Sequence, residues 1–270
     1  MRTVSMKSVC DRALQRVGLD PSTVPAATIL ALGAYIDEAV RHAWEWSDWP
    51  EIMRIEERAL RQAFDSSVTY QLNDEVFYSI TLKYYRCIAT NTGFDPTNTL
   101  YWEPVAVSAT LALAVTGATP MGKVFGLFTS HPGLVPNAAR VPFVDLGDSV
   151  ALAGPVGATV WVQFRRVSPE FTRLAYDAAA TYQAGAVVYD STTGECYASV
   201  SGGVGLALTD ADEWTRQEIP LYARDAVVRW AAAQLKREDG MDLTAATLEA
   251  QSLEALQDEA DKRLQTPALR

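Results

Sequence analysis

Apolar positions recur at helical spacing at both ends of the chain and at strand spacing between them. Val9, Ala13, Leu14 and Val17 share one face of a predicted helix from Ser5 to Val17, with Gly18 as its stop. Asp20-Pro21 predicts a second start, since Asp caps well and Pro is tolerated in the first turn. Ile29, Leu32, Ile36, Val40 and Ala43 then keep one face apolar to about Trp46, and Pro50 prevents continuation. Near the other end, Pro220 opens a helix carrying Ala223, Val227, Trp230, Ala231 and Gln234, and Gly240 closes it. A last helix starts at Thr244 and runs through Leu248, Leu253, Leu256, Ala260 and Leu264. Between Arg61 and Glu218 the pattern becomes short alternating runs bounded by Gly, Pro and Thr, which predicts small antiparallel sheets.

That middle contains an internal repeat. Residues 64–103 align without a gap on 176–215, at a constant offset of 112 (177 − 65). The identical pairs are Asp65/Asp177, Thr69/Thr181, Tyr70/Tyr182, Gln71/Gln183, Val76/Val188, Tyr85/Tyr197, Gly93/Gly205, Thr97/Thr209 and Trp102/Trp214. They fall on aromatic, glycine and strand positions. Each copy reads as strand, turn, strand, loop and a closing Trp, with Tyr70, Tyr85 and Trp102, or Tyr182, Tyr197 and Trp214, as its aromatic core. A unit of about forty residues buries too little surface to stand alone and must lean on a neighbour.

The expected fold class is therefore α+β: a helical body formed by both chain ends, with inserted small antiparallel β-modules. The expected segments are 1–60 with 217–270 for the body, 61–107 and 169–216 for the two modules, and 108–168 for a β-rich middle region. That region reads as an apolar strand (Leu111, Leu113, Val115), a Gly/Pro-rich stretch from Gly117 to Pro136, and a strand Val160-Trp161-Val162-Gln163-Phe164.

Composition narrows the function classes. Apolar residues make up 49% of the 270, too many for a wholly disordered chain. The 33 acidic against 23 basic residues give a net charge of −10, with no basic excess to neutralise phosphates. No run approaches the roughly 18 apolar residues of a membrane span. Polar residues (Cys10, Asp11, Arg12, Gln15) stand where a signal peptide needs an apolar core, so a cytoplasm-like compartment is expected. Cys10, Cys87 and Cys196 are far apart and lack metal spacing, and read as buried neutral thiols.

Catalytic patterns are sparse. His42 and His131 are the only histidines, one on a helix beside Trp44 and one in a Ser-His-Pro-Gly turn. Asp74-Glu75 and Asp210, Asp212 and Glu213 fall in module loops without the spacing of a calcium loop. No cofactor, no metal and no enzymatic activity are expected.

Two resemblances bear on function. Tyr70, Val76-Phe77, Tyr85-Arg86-Cys87, Pro96 and Trp102, echoed by Tyr182-Gln183-Ala184-Gly185, Val187-Val188-Tyr189, Tyr197 and Trp214, resemble the small chitin- or cellulose-type carbohydrate-binding module. That family binds sugar through exposed aromatics. Here the platform positions are Ala89-Thr90 and Ser201-Gly202, leaving Tyr84, Phe94 and Tyr101 as candidate rings. Across the whole chain, Ala43-Trp44-Glu45-Trp46-Ser47-Asp48-Trp49-Pro50-Glu51, the segment 162–172 and the closing helices from Ile219-Pro220 resemble head-to-tail adaptor (connector or neck) proteins of tailed bacteriophages.

This second resemblance implies a structural virion protein of the neck, present in the host cytoplasm during assembly. It implies a ring of copies of itself, commonly twelve, docked between the portal protein and the tail or stopper proteins. The genome would pass through without specific binding. No membrane partner is expected, and weak carbohydrate binding by the modules is the alternative. Trp44, Trp46 and Trp49 read either as the seal of a hydrophobic core or as an interface anchor; on the anchor reading the candidate portal or neck contacts are Trp44, Trp46, Trp49, Leu253, Leu256, Leu264 and Arg270. Candidate lumen-facing acids are Glu249, Glu254, Asp258 and Asp261.

Overall fold

Among the described residues of the computed structural model, four α-helices and a series of short, mainly antiparallel strands make an α+β fold. Those residues are 2–105, 110–113, 119–153, 157–171 and 174–265. The chain divides into two compact units, Met1–Glu51 with Ser168–Arg270, and Ile52–Val167.

The first unit holds all four helices: α1 (Met6–Arg16), α2 (Ala26–Trp46), α3 (Arg224–Glu238) and α4 (Asp242–Gln265). Ser5 caps α1 by accepting the Ser8 N–H at 3.2 Å, and Val9, Cys10, Ala13 and Leu14 turn inward. At its other end the Lys236 ammonium donates to the Val17 carbonyl at 3.1 Å, placing a cation where the helix dipole is negative. The second helix does not begin at Asp20-Pro21. Asp20 instead holds a turn, accepting from the Ser22 N–H and hydroxyl at 2.9 and 2.8 Å, and α2 starts one residue after Pro25. Pro25 disfavours helical geometry at Val24, so any earlier start would be interrupted there.

Alanines 226, 231, 232 and 233 of α3 are buried, and such small side chains let neighbouring helices approach closely. The buried Ser252 hydroxyl of α4 donates to the Ala226 carbonyl at 2.8 Å. The chain ends are also joined by a two-stranded ribbon, Thr3–Ser5 antiparallel to Glu218–Pro220.

The repeat is reproduced strand for strand. Copy 1 has strands Thr69–Tyr70, Glu75–Tyr78, Lys83–Cys87, Asn91–Thr92 and Trp102–Pro104; copy 2 has Thr181–Tyr182, Val187–Asp190, Glu195–Ser199, Gly203–Val204 and Trp214–Arg216, every bound displaced by 112 (181 − 69). Internal bonds match as well. The Tyr70 hydroxyl accepts the Asp65 N–H at 2.8 Å and donates to the Asp65 carbonyl at 3.2 Å, and Tyr182 does the same at Asp177 at 2.8 and 3.1 Å. Tyr70 meets Trp102 edge-on at 5.2 Å, and Tyr182 meets Trp214 at 5.4 Å. The Trp102 and Trp214 indole N–H groups donate to the Phe94 and Leu206 carbonyls. Gly93 and Gly205 have φ of +78° and +73°, a left-handed turn that a side chain would strain. Of the expected aromatic core, Tyr70, Tyr85, Trp102, Tyr182 and Trp214 are buried, while Tyr197 is half-buried against the copy 2 cluster.

Each copy buries a second face against a different neighbour. In copy 1, Phe77 and Tyr84 join the core of the second unit with Leu127, Val150, Leu152, Val160, Val162 and Phe164. The equivalent positions in copy 2 are Tyr189 and Cys196, both buried, and the Cys196 thiol lies 3.4 Å from the Met6 sulfur of α1.

The remainder of the second unit is two small sheets. One contains Met53–Ala59, Thr159–Arg166, Met121–Phe128 and Arg140–Val141, all antiparallel. The other contains Thr110–Ala112, Ser149–Leu152 and Phe143–Asp145. Two of these strands were not expected. Met53–Ala59 falls in the segment assigned to the helical body, and Met121–Phe128 falls in the Gly/Pro-rich stretch. The latter is irregular at two points, between Met121 and Lys123 and between Val124 and Gly126. A Cβ at Gly122 would sit 3.0 Å from the Arg166 carbonyl, and one at Gly126 would sit 2.9 Å from the Phe128 ring. The glycines mark bulges, not turns. Val115 of the expected apolar strand lies outside the described residues.

The matched Tyr hydroxyls give a paired test. Tyr70→Phe leaves the Asp65 N–H without its acceptor, and Tyr182→Phe does the same to Asp177. Each is expected to cost about 1–2 kcal/mol in urea unfolding, with the two losses equal within about 0.5 kcal/mol.

Candidate functional site

The first unit carries a cleft of about 990 Å³ where α3 and α4 meet Arg2, Glu51 and the Leu221–Tyr222 turn. Its walls alternate in charge: Arg2, Arg224, Arg229, Lys262 and Arg263 against Glu51, Asp225, Glu254, Asp258 and Glu259. At one wall the Arg263 guanidinium lies over two rings, 5.4 Å from the Trp49 centroid and 5.0 Å from that of Tyr222. Those rings stack on each other at 4.5 Å. Arg263 also pairs with Glu51 and, at 3.0 Å, with Glu259. Burial pushes the Glu51 carboxyl up, but the Arg263 hydrogen bond and charge outweigh it, and the carboxyl sits below its usual range. Trp49 is 1% exposed, and its indole N–H donates to the Ala43 carbonyl at 2.7 Å.

The candidate portal contacts are thus split. Trp44, Trp49 and Leu256 are interior and present no surface to a partner. Trp46 and Leu253 are exposed, at 37% and 36%. The Leu264 side chain and Arg270 lie outside the described residues. Trp46 meets His42 edge-on at 5.5 Å, and His42 stacks on Trp230 at 5.6 Å, so this histidine is part of an aromatic cluster. His131 accepts the Gly133 N–H at Nδ1 and rests against Trp161, holding its turn.

The four candidate acids also separate. Glu249 is bound within the chain, at 2.7 Å from Arg237 and 3.0 Å from the Gln234 amide, and the Arg237 hydrogen bond holds its carboxyl low. Glu254 and Asp258 line the cleft. Asp261 is exposed and accepts from the Gln257 amide at 2.9 Å. The outer side of α4 is an exposed stripe, apolar first (Leu243, Ala246, Ala250, Leu253) and then polar (Gln257, Asp261), while the exposed Glu254 and Asp258 border the cleft.

Of the candidate sugar-stacking rings, Tyr84 is buried and its hydroxyl donates to the Gly157 carbonyl at 2.9 Å. Phe94 and Tyr101 stack on each other at 4.2 Å with planes 11° apart, beside the 76% exposed Leu100. Phe94 is 43% exposed. Copy 2 has Leu206 and Glu213 at the equivalent positions.

One buried acid escaped the sequence reading. Glu195 is 7% exposed and accepts the Met6 N–H at 3.1 Å, so a strand of copy 2 caps the start of α1. Burial holds its carboxyl above the usual range, opposed by hydrogen bonds from Ser5 and the Met6 and Lys7 backbone. The equivalent residue in copy 1 is the exposed Lys83, and that contrast between aligned positions is the signal that marks Glu195.

Among the described residues no group of His, Cys, Asp or Glu is placed to hold a metal ion, and no helix is long and apolar enough to cross a membrane. No protein-family model matches the chain, and no curated protein matches it.

Two outcomes are expected here. Arg263→Ala removes the cation from both rings and the partner from Glu51, and should cost roughly 1–3 kcal/mol in chemical denaturation. For Glu195 the sign follows from its raised value. The folded state holds that proton more tightly than the unfolded state, so the stability it contributes is full below pH 4.5 and is lost as pH rises through the raised value. The stability of wild type relative to Glu195→Gln should therefore fall between acidic and neutral pH, read from urea midpoints at both.

Proposed function

We propose that this chain is a structural virion protein, a head-to-tail adaptor that forms a ring between the portal and the tail. The observation that carries the reading is the outer stripe of α4. The helix has 24 residues, roughly 36 Å at 1.5 Å per residue, and one side of it faces away from the protein. Its apolar half, led by Leu243 at 88% exposure and Leu253, suits a groove on a partner ring. Its polar half carries Asp261 and is flanked by the exposed cleft acids Glu254 and Asp258, which suits a passage for DNA that must not be gripped. On this reading Trp46 and Leu253 are the exposed neck contacts, the chain acts in the virion neck, and it has no catalytic role.

The test is mass in solution, alone and with portal rings. Assembly into a multiple of the 29.5 kDa chain is expected. Leu253→Asp should weaken portal binding at least tenfold without altering the fold. A chain that stays monomeric and ignores portal rings would refute the reading.

A second reading, carbohydrate binding, draws support from the Phe94–Tyr101 pair, since flat exposed rings stack on sugar faces. Retention on chitin, cellulose or cell-wall polysaccharide, abolished by Phe94→Ala with Tyr101→Ala, would favour it over the first.

A further inference from the structure

The wall between α1 and α3 holds a concentration of positive charge unusual for so acidic a chain. A cleft of about 460 Å³ is lined by Arg12, Arg16, Arg224 and Arg229, with Asp225 as its single acid, a local excess of +3 (4 − 1). Arg224 pairs with Asp225 at 2.8 Å, and Arg229 donates to the Gln251 carbonyl at 2.9 Å. The Arg229 Nε is buried and has no hydrogen-bond partner. Arg12 and Arg16 are exposed, one turn apart on α1, and neither forms an ion pair among the described residues. With −10 overall and +3 here, the rest of the chain carries −13.

The duplicated module supplies the complement. Copy 2 carries Asp210, Asp212 and Glu213 in the loop before Trp214, three carboxylates within four residues. Asp210 and Asp212 are exposed, and no Lys or Arg pairs with any of the three among the described residues. Copy 1 builds the same loop from Asn98, Leu100 and Tyr101. In both copies the Trp N–H donates to the loop carbonyl four residues back, at 3.0 Å to Asn98 and 2.9 Å to Asp210. Asp210 Oδ1 also accepts the Asp212 N–H at 3.0 Å, as Asn98 Oδ1 accepts that of Leu100 at 3.1 Å, so the scaffold needs a side-chain oxygen there but not a negative charge.

We infer that the arginine cleft receives the acidic loop of a second copy of this chain. A cleft of one sign does not pair with another copy of itself, so the contact runs from cleft to loop. Repeated head-to-tail, as the ring reading requires, that contact propagates into a ring or a filament, whereas reciprocated about a twofold axis it would stop at a dimer. Chains of net charge −10 repel one another at long range, so the association concentrates attraction at one site. This inference rests on the ring reading above and names the contact that closes the ring.

A charge swap tests it on the full chain by mass photometry, in low salt with portal rings present. Arg12→Glu with Arg16→Glu should lower self-association at least tenfold, and so should Asp212→Arg with Glu213→Arg, which leaves the turn-holding Asp210 in place. Mixing the two variants should restore rings of alternating subunits, since each reversed surface then meets its complement. Wild-type rings should weaken as salt rises. Wild-type rings together with either variant assembling normally would overturn the inference and leave the ring reading intact. Loss that mixing does not restore would also overturn it, and would assign the arginines to another anion, DNA or portal. Wild-type chains that never associate would refute the ring reading itself.

Discussion

A forty-residue β-module has two faces and enough aromatic side chains to fill only one core. In both copies the Tyr–Trp–Phe/Tyr cluster closes the front, leaving a back face that must be covered by something else. Copy 1 covers it with the β-sheets of residues 52–167, through Phe77 and Tyr84. Copy 2 covers it with a helix, through Tyr189 and Cys196, and adds the Glu195 carboxylate to the helix start. One scaffold is thus fitted to two surroundings by changing a few back-face residues. Lys83 against Glu195 is the clearest case: a solvated cation in one copy is a buried cap in the other.

The same divergence reaches the loops. The indole N–H bond and an Asn98 or Asp210 side-chain oxygen hold each loop, and the remaining tip positions differ between the copies. In copy 1 the tip is apolar and aromatic; in copy 2 it is acidic. A duplicated unit whose core is fixed and whose tips differ is a way to present two binding chemistries from one chain. The helical body has a similar division, with an alanine-rich inner face for close packing and an exposed outer stripe on α4.

The repeat and the four helices were legible because local pattern governs them. Aromatic and glycine positions recur at a fixed offset, and apolar residues keep one helical face. What escaped depends on distant partners. The burial of Trp44 and Trp49 agrees with the core reading of that cluster, but the partners that meet Trp49, Tyr222 and Arg263, lie far along the chain and were not readable from it. Gly122 and Gly126 look like turn residues until the opposite strand shows that they are bulges. Asp20-Pro21 carries a fair start signal, but Pro25 downstream overrides it. Of the candidate site, the exposure of Trp46 and Leu253 and the pairing of Glu249 to Arg237 were beyond reach, since helical spacing gives a face but not what covers it.

On the proposed adaptor role the chain is part of a larger assembly, addressed to its neighbours by its variable surfaces. The most direct test of that proposal is quantitative mass spectrometry of purified particles from a tailed phage whose genome carries the gene for this chain. The chain is expected in intact particles at a fixed ratio near one copy per portal subunit. Its absence from purified particles, or a copy number unrelated to that of the portal, would contradict the account.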